Sequence, residues 1–275
     1  MSTTPTSPPS PTTPGTPGPP GTATGAGRAH AAPPRQRVLA QARFEVGSLL
    51  RNGEQLLVSL VLPAMALVGL HLSTAPSLGP GDRTALAVAG VVALCVVSAA
   101  FTSQAIATGF DRRYAVLRYL GVTPLGRGGL VAAKVLATLA VEVVQIALIA
   151  ALGLALGWRP PVAGLAYAVL FVVLGTWAFV ALALLLAGTL RAEAVLAVAN
   201  LVWVVLLAVG GVVVPRTELP AGVSHVIGLL PSAGLGDGLR SALVAGELNL
   251  SALLVVLGWA GVATALAARL FRFDD

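Results

Sequence analysis

Residues 130–156 read LVAAKVLATLAVEVVQIALIAALGLAL, a continuous apolar run with only two charged side chains, Lys134 and Glu142. An α-helix needs about 20 apolar residues to cross the roughly 30 Å hydrocarbon core of a bilayer. The run is long enough, and it contains no proline that would interrupt a helix. It therefore predicts a transmembrane helix and makes a membrane protein the first interpretation of the chain.

The rest of the sequence repeats this pattern. Hydrophobic residues make up 56 % of the 275 residues and charged residues 10 %, whereas soluble domains carry about 25 % charged residues. This composition excludes an ordinary soluble enzyme and predicts an all-α integral membrane protein with six transmembrane helices. The six predicted spans are residues 56–72, 85–108, 130–156, 162–190, 194–214 and 250–268.

Two segments precede the first span. Residues 1–34 are rich in Pro, Thr and Gly, and such a segment buries too little apolar surface to fold, so we expect a disordered cytosolic tail. Residues 35–54 place Val38 and Ala42 on one helical stripe with arginines elsewhere, which predicts an amphipathic helix on the membrane surface. A soluble extension of the first span is the alternative. Residues 55–275 then form the six-span domain.

The basic side chains are distributed unevenly along the chain. With the N-terminus inside, 13 of the 17 Lys and Arg residues fall on the cytosolic side and 4 on the other. Because short cytosolic segments of membrane proteins carry the excess of Lys and Arg, this bias predicts that both termini are cytosolic. Ala, Gly, Pro and Arg are abundant and Lys134 is the only lysine, a composition typical of a GC-rich, actinobacterial genome.

The sequence lacks the motifs of the common catalytic and nucleotide sites. A phosphate-binding loop needs Gly before its lysine, but Ala133 precedes Lys134. Cys95 is the single cysteine, which excludes an intrachain disulfide and a cysteine-cluster metal site. The three histidines lack the spacing of zinc ligands, and no basic patch with interleaved aromatics indicates nucleic-acid binding. We therefore expect a protein that is not an enzyme, with no ATP or metal site of its own and no nucleic-acid partner.

Polar side chains in the run 130–156 follow one another at spacings of 4, 4 and 3 residues, which places them on one helix face. A carboxylate near mid-bilayer is costly, so Glu142 should face other helices or water, where protonation would lower the cost. We expect Lys134 to extend toward the cytosol. The stripe is predicted to line a substrate path or a seam between two chains. The alternative is an internal hydrogen bond of Glu142 to Gln145 or to another span, with Gln104 and Asn200 as candidate partners. The candidate intramembrane residues are Lys134, Thr138, Glu142, Gln145 and Asn200.

The connection between the second and third predicted spans, residues 109–127, reads GFDRRYAVLRYLGVTPLGR and mixes basic with aromatic side chains. Phe110, Tyr114 and Leu117 share one helical face, and Pro124 prevents the helix from continuing. The pattern predicts a short cytosolic helix of about three turns whose composition suits a protein interface. The alternative is that its arginines only hold the positive-inside topology.

This connection resembles the coupling-helix region of permeases of the type-two ATP-binding-cassette (ABC) exporter class. Those permeases carry a charged start, a leucine-rich turn and Thr-Pro before the third span, and this chain has D-R-R at residues 111–113 and T-P at 123–124. Residues 215–249 are punctuated by prolines, like the outer segment of that class with its one or two short helices. Asp111 is the only acid of the connection, so this coupling region is more basic than the usual pattern.

The resemblance implies a permease subunit that exports its substrate across the bacterial cytoplasmic membrane. It implies that a separate ATPase subunit binds ATP and Mg²⁺, that a second permease chain completes a homodimer or heterodimer, and that membrane lipids surround the spans. It also implies that the ATPase docks on the short cytosolic helix. The residues implied in docking are Phe110, Asp111, Arg112, Arg113, Tyr114, Leu117 and Arg118.

A self-sufficient secondary transporter or channel is the alternative function, and a structural membrane scaffold is a third. A secondary transporter favours several ionisable groups at mid-depth and an inverted internal repeat. The sequence offers one such carboxylate, Glu142, and no clear repeat. Drugs, lipids, polysaccharides and haem-related molecules are all open as substrates.

Overall fold

The computed structural model describes residues 32–51, 53–116 and 124–270, and these residues form helices and connections without a β-strand. Two π-helical segments, Val97–Ser103 and Ser241–Ala245, and a 3₁₀ turn, Arg216–Glu218, accompany the α-helices. The α-helices are α1 (Pro34–Arg51), α2 (Gly53–Leu72), α3 (Arg83–Val96), α4 (Gln104–Arg113), α5 (Gly126–Ala155), α6 (Val162–Thr189), α7 (Ala192–Val209), α8 (Ala221–Ile227), α9 (Pro231–Arg240) and α10 (Leu250–Leu270). The predicted disordered tail lies outside the described residues as far as residue 31.

Within the described residues, five helices are long and apolar enough to cross a bilayer, and a shorter apolar helix, Leu57–Leu72, lies within α2. One of the five is Arg83–Arg113, in which α3, the first π-helical segment and α4 follow one another without a break. The other four correspond to α5, α6, α7 and α10. The prediction of an all-α membrane protein is confirmed, with the first of the six expected spans as the shorter helix.

The helix Arg83–Arg113 occupies the centre of the bundle. Of its most apolar stretch 83 % is buried, against 28 % for Gly128–Ala155 and 22 % for α7. Its start is fixed by Asp82, whose side chain accepts a hydrogen bond from the backbone N–H of Thr84, as an N-cap residue does. The surrounding helices leave apolar faces exposed, which is what helices in contact with lipid require.

The amphipathic helix predicted for residues 35–54 is observed as α1, Pro34–Arg51, which packs along α5. Ala42 of the predicted stripe is buried, whereas Phe44, which does not belong to the stripe, is 68 % exposed. The apolar stripe of α1 therefore meets another helix of the bundle. Arg37 adds a hydrogen bond to the carbonyl of Pro124 just before α5.

The structure assigns Phe110 to the helix of the second predicted span, and most of the predicted separate helix that follows lies outside the described residues. Residues 110–113 form the last turn of α4, and the helical geometry ends at Tyr114. Gly109 within α4 lets this helix approach α7 closely, with Val195 only 3.3 Å from where a Cβ would lie. Ala115 then turns the chain with a positive φ of 59°. Leu117 and Arg118 lie outside the described residues.

The proline-punctuated segment 215–249 folds back into the protein. It contains the 3₁₀ turn, α8, α9 and the second π-helical segment, and α9 packs against α3, α6 and α10. Arg240 at the end of α9 is buried and donates to the carbonyls of Gly211 and Val212, at 2.6 and 3.1 Å, which follow the end of α7. Burial lowers the pKa of Arg240, and the neighbouring carboxylate of Asp237, 3.0 Å away, opposes this shift.

Candidate functional site

The end of α4 is bound to three other helices through three successive residues. Arg112 donates to the carbonyls of Ala187 and Leu190, at 2.9 and 3.3 Å, and so caps the C-terminal end of α6. Arg113 forms an ion pair with Glu193 in the first turn of α7. The Oδ2 atom of Asp111 lies 3.7 Å from the Nζ atom of a lysine of α5, Lys134. A displacement of this helix end would therefore be transmitted to α5, α6 and α7.

Beyond these contacts the chain presents a small surface, which we call the exposed turn: Arg113, Tyr114 and Val116. The Tyr114 side chain is 69 % exposed and Val116 is 38 % exposed. The ring of Tyr114 stacks on that of Phe110 with centroids 6.3 Å apart, which holds it at the helix end. Of the predicted docking residues, Asp111 and Arg112 thus make internal contacts, and Arg113 and Tyr114 lie at the surface.

Lys134 lies in what we call the buried ion cluster, Lys134, Glu45 and Asp111. Its side chain is fully buried, and Nζ lies 3.1 Å from Oε1 and 3.2 Å from Oε2 of Glu45 on α1. Gln41 holds Oε1 of Glu45 with a 3.0 Å hydrogen bond. Carboxylates on α1 and at the end of α4 thus neutralise the buried ammonium, and the expectation that Lys134 extends toward the cytosol stays a prediction.

Glu45 is only weakly indicated by the sequence. It is the one acid of α1, and it follows Ala42 by three residues, which puts it on the face that α1 turns toward α5. An acid on a buried face needs a positive partner. The identity of that partner, 89 residues away along the chain, comes only from the packing of the helices.

The rest of the polar stripe of α5 is bonded inside the bundle. Glu142 is fully buried and accepts a 2.6 Å hydrogen bond from the hydroxyl of Thr176 on α6. The alternative interpretation, an internal hydrogen bond to another span, therefore describes the structure, although the partner is Thr176 and not Gln145, Gln104 or Asn200. Gln104 instead donates to Thr138 at 3.0 Å, and Asn200 donates to a carbonyl of its own helix. The structure places Glu142 at the contact of α5 with α6.

A cavity of about 370 Å³ lies between α2, the first π-helical segment, α5 and α7. We call it the polar cavity, because side chains such as Ser98, Thr102, Gln104 and Gln145 line it beside apolar ones. Thr138 and Asn200 of the predicted set line it as well, whereas Lys134 and Glu142 are not among the lining residues. The sequence did not predict that a π-helical segment forms one wall of the cavity, because π-helices have no characteristic amino-acid composition.

With this geometry described, the sequence of the chain can be compared with known families. The sequence model of the ABC-2 type transporter family matches residues 37–244. The chain belongs to the ABC-2 type transporter family. As an ABC-2 membrane component it is a multi-pass membrane protein of an ABC transporter, and its family implies partnership with an ATPase subunit. The match covers every helix from α1 to α9. A comparison with curated proteins finds no match.

Proposed function

We propose that this ABC-2 permease exports its substrate with energy from ATP hydrolysed by a separate ATPase subunit, which holds the ATP and Mg²⁺. In this proposal the permease lies in the bacterial cytoplasmic membrane with both termini cytosolic. A second permease chain, identical or not, completes the pathway, and lipids surround the spans. The excess of Lys and Arg on the assigned cytosolic side supports this orientation.

One observation carries the proposal: the exposed turn continues directly from a helix end that is bonded to three other helices. An ATPase that contacts Tyr114 pushes on α4, and the bonds of Arg112 and Arg113 pass the displacement to α6 and α7. Asp111 connects the same end to the buried ion cluster and thereby to α1. A rigid helix end with exposed aromatic and basic groups is suited to such a contact.

The proposal is tested by isolating the tagged chain from its native membrane and identifying any ATPase that accompanies it. We expect an ATPase in the preparation, and we expect Tyr114→Ala combined with Leu117→Ala to reduce its amount about tenfold, since central aromatic contacts contribute about 1.4 kcal/mol or more. The matched control is Leu254→Ala with Leu257→Ala on α10, two exposed apolar residues far from this turn in sequence. Normal insertion with undiminished ATPase would reject docking at this turn.

The alternative of a secondary transporter has less support from the positions of the ionisable groups. The one acid of the predicted third span, Glu142, is hydrogen-bonded at a helix contact. Among the residues that the structure describes, those that line the polar cavity include no Asp, Glu, Lys or Arg. Proton-coupled transport uses ionisable groups along the path. Transport by the purified permease without any ATPase would nevertheless reverse this preference.

A further inference from the structure

The polar cavity is large enough for a small molecule, and it is open on one side. Its volume of about 370 Å³ falls in the range of roughly 300–1,000 Å³ typical of ligand pockets. Two lining residues of α2, Val58 and Leu62, are 47 % and 59 % exposed. Asn200 of α7 is exposed as well. The exposed rim indicates that the cavity opens sideways between α2 and α7.

Two glutamines in the wall have carbonyl oxygens with no partner. Gln104 and Gln145 are 2 % and 4 % exposed, and the Oε1 atom of each is buried without a hydrogen bond. A buried polar atom left unsatisfied costs about 1–3 kcal/mol. The hydroxyl of Thr102, on the π-helical wall, is a third buried polar group without a partner. The cavity therefore presents hydrogen-bonding capacity that the protein itself does not use.

The bonds around the two glutamines fix which of their atoms is unused. The amide nitrogen of Gln145 donates to the carbonyl of Ser59, 3.1 Å away, and a carbonyl can only accept. The hydroxyl of Thr138 donates to the carbonyl of Lys134, so it accepts from the amide nitrogen of Gln104. The atoms left without any partner are therefore both oxygens, which accept from hydrogen-bond donors on an occupant, while each amide nitrogen already uses one of its two N–H groups inside the protein.

The remaining walls limit the charge of the occupant. Apolar lining side chains include Pro63, Ala99, Val141 and Trp203, and the described lining residues include no charged side chain. Trp203 is itself engaged, since its Nε1–H donates to Ser98 at 2.9 Å. An anion would find two carbonyl oxygens and no cation, which is unfavourable in a low-dielectric site.

We propose that the polar cavity binds an uncharged, largely apolar molecule that carries hydroxyl or N–H donors, and that Gln104 and Gln145 accept from these donors. The assignment of this molecule as exported cargo rests on the proposed function, which it deepens by naming a substrate class. Binding itself requires only the permease.

The test places a thiol in the cavity and asks which compound shields it. The full chain carries Cys95→Ala and Ala99→Cys and is reconstituted in lipid nanodiscs, and the rate of alkylation by N-ethylmaleimide is followed by mass spectrometry. Three probes of one ring shape are compared at equal membrane concentration: 2-naphthol, its methyl ether, and naphthalene-2-sulfonate. If Ala99→Cys prevents insertion, Val141→Cys serves as the reporter thiol.

We expect 2-naphthol to slow alkylation about fivefold more than its methyl ether does, the effect of roughly one hydrogen bond. The sulfonate should not protect. Gln104→Met and Gln145→Met should each reduce the difference between naphthol and ether, whereas Leu62→Met, which changes an apolar lining residue, should preserve it. Both glutamine variants are tested because each glutamine also makes a contact inside the bundle.

Three outcomes overturn the proposal: equal protection by naphthol and ether, protection by the sulfonate, or no protection by any probe, which would mean that the cavity holds only water. The assay contains no ATPase and no ATP. A negative binding result therefore does not contradict ATPase docking. In the same way, the absence of an ATPase partner would not contradict a positive binding result.

Discussion

At the scale of single residues, the buried ion cluster shows how a charge is kept inside this membrane protein. Lys134 has no exposed surface, and its position becomes tolerable only because Glu45 and Asp111 lie 3.1 and 3.7 Å away. The two acids come from α1 and α4, so the cluster joins three helices. Removal of the lysine would leave two carboxylates near each other without a counter-ion.

We predict that Lys134→Met lowers the free energy of unfolding by about 3 kcal/mol, the cost of breaking a buried ion pair. Adding Glu45→Gln and Asp111→Asn should restore most of this loss, since the uncompensated charges are then gone. Thermal unfolding of the purified protein measures both. Arg43→Met, at an exposed position of α1, is the control and should stay within about 0.5 kcal/mol of the parent. A triple variant as unstable as the single one would contradict this account.

Glu142 leads to a second prediction at this scale. The hydroxyl of Thr176 lies 2.6 Å from Glu142 and 2.7 Å from the carbonyl of Val172 on its own helix, so it retains an acceptor when the acid is removed. Glu142→Leu should therefore unfold at the parental temperature or above. Glu142→Gln should lose about 1 kcal/mol, because its added N–H group is buried where Oε1 now has no partner.

The same thermal unfolding measurement compares the two variants directly. Glu142→Leu found clearly less stable than Glu142→Gln would show that polar interactions of this side chain, beyond the one with Thr176, support the bundle. Loss of export by a stable Glu142→Leu protein would instead assign the acid to transport, as the first interpretation of the polar stripe had it.

At the scale of the elements, the contact of α9 with α6 depends on a residue without a side chain. A Cβ atom at Gly238 would lie 2.2 Å from the ring of Phe171, a distance that no real contact allows. We predict that Gly238→Ala destabilises the protein by about 1–3 kcal/mol through overpacking. Unfolding in a mild detergent gives the value.

The matched control for that prediction is Gly258→Ala. Gly258 lies in α10 with nothing within 4 Å of its would-be Cβ, and alanine favours a helix over glycine by up to about 1 kcal/mol. This variant should equal or exceed the parent in stability. Equal losses for both substitutions would mean that helix propensity, and not the packing of α9 on α6, determines the response.

The elements also show what the sequence can predict. The spans follow from hydrophobic length because the bilayer fixes how long an apolar helix must be, and the stripe of α1 follows from the helical period. The end of α4 does not, because the apolar run stops at residue 108 whereas the helix continues to Arg113, held by contacts to distant helices. The polar stripe of α5 was predicted as one face, but the partners Glu45 and Thr176 depend on how distant helices pack.

At the scale of the whole molecule, orientation in the membrane is the property most open to experiment. We predict that a reporter active only outside the cytosol is silent when fused after Asp275 and active when inserted after Glu247. Glu247 is exposed and lies between the second π-helical segment and α10, so an insertion there spares the buried α9. The reverse pair of results would invert the topology and move the exposed turn away from any cytosolic ATPase.

The depth of Lys134 also determines how the protein responds to chemical labelling. Crosslinkers and dyes that modify lysine need a free ε-amino group, but the only lysine of the chain has no exposed surface and points at two carboxylates. Native protein should therefore carry no modified lysine, and amine-directed crosslinking should not join this subunit to a partner through Lys134. Once α1 separates from α5, the amine becomes reactive. The rate at which Lys134 is modified therefore reports how often α1 and α5 separate.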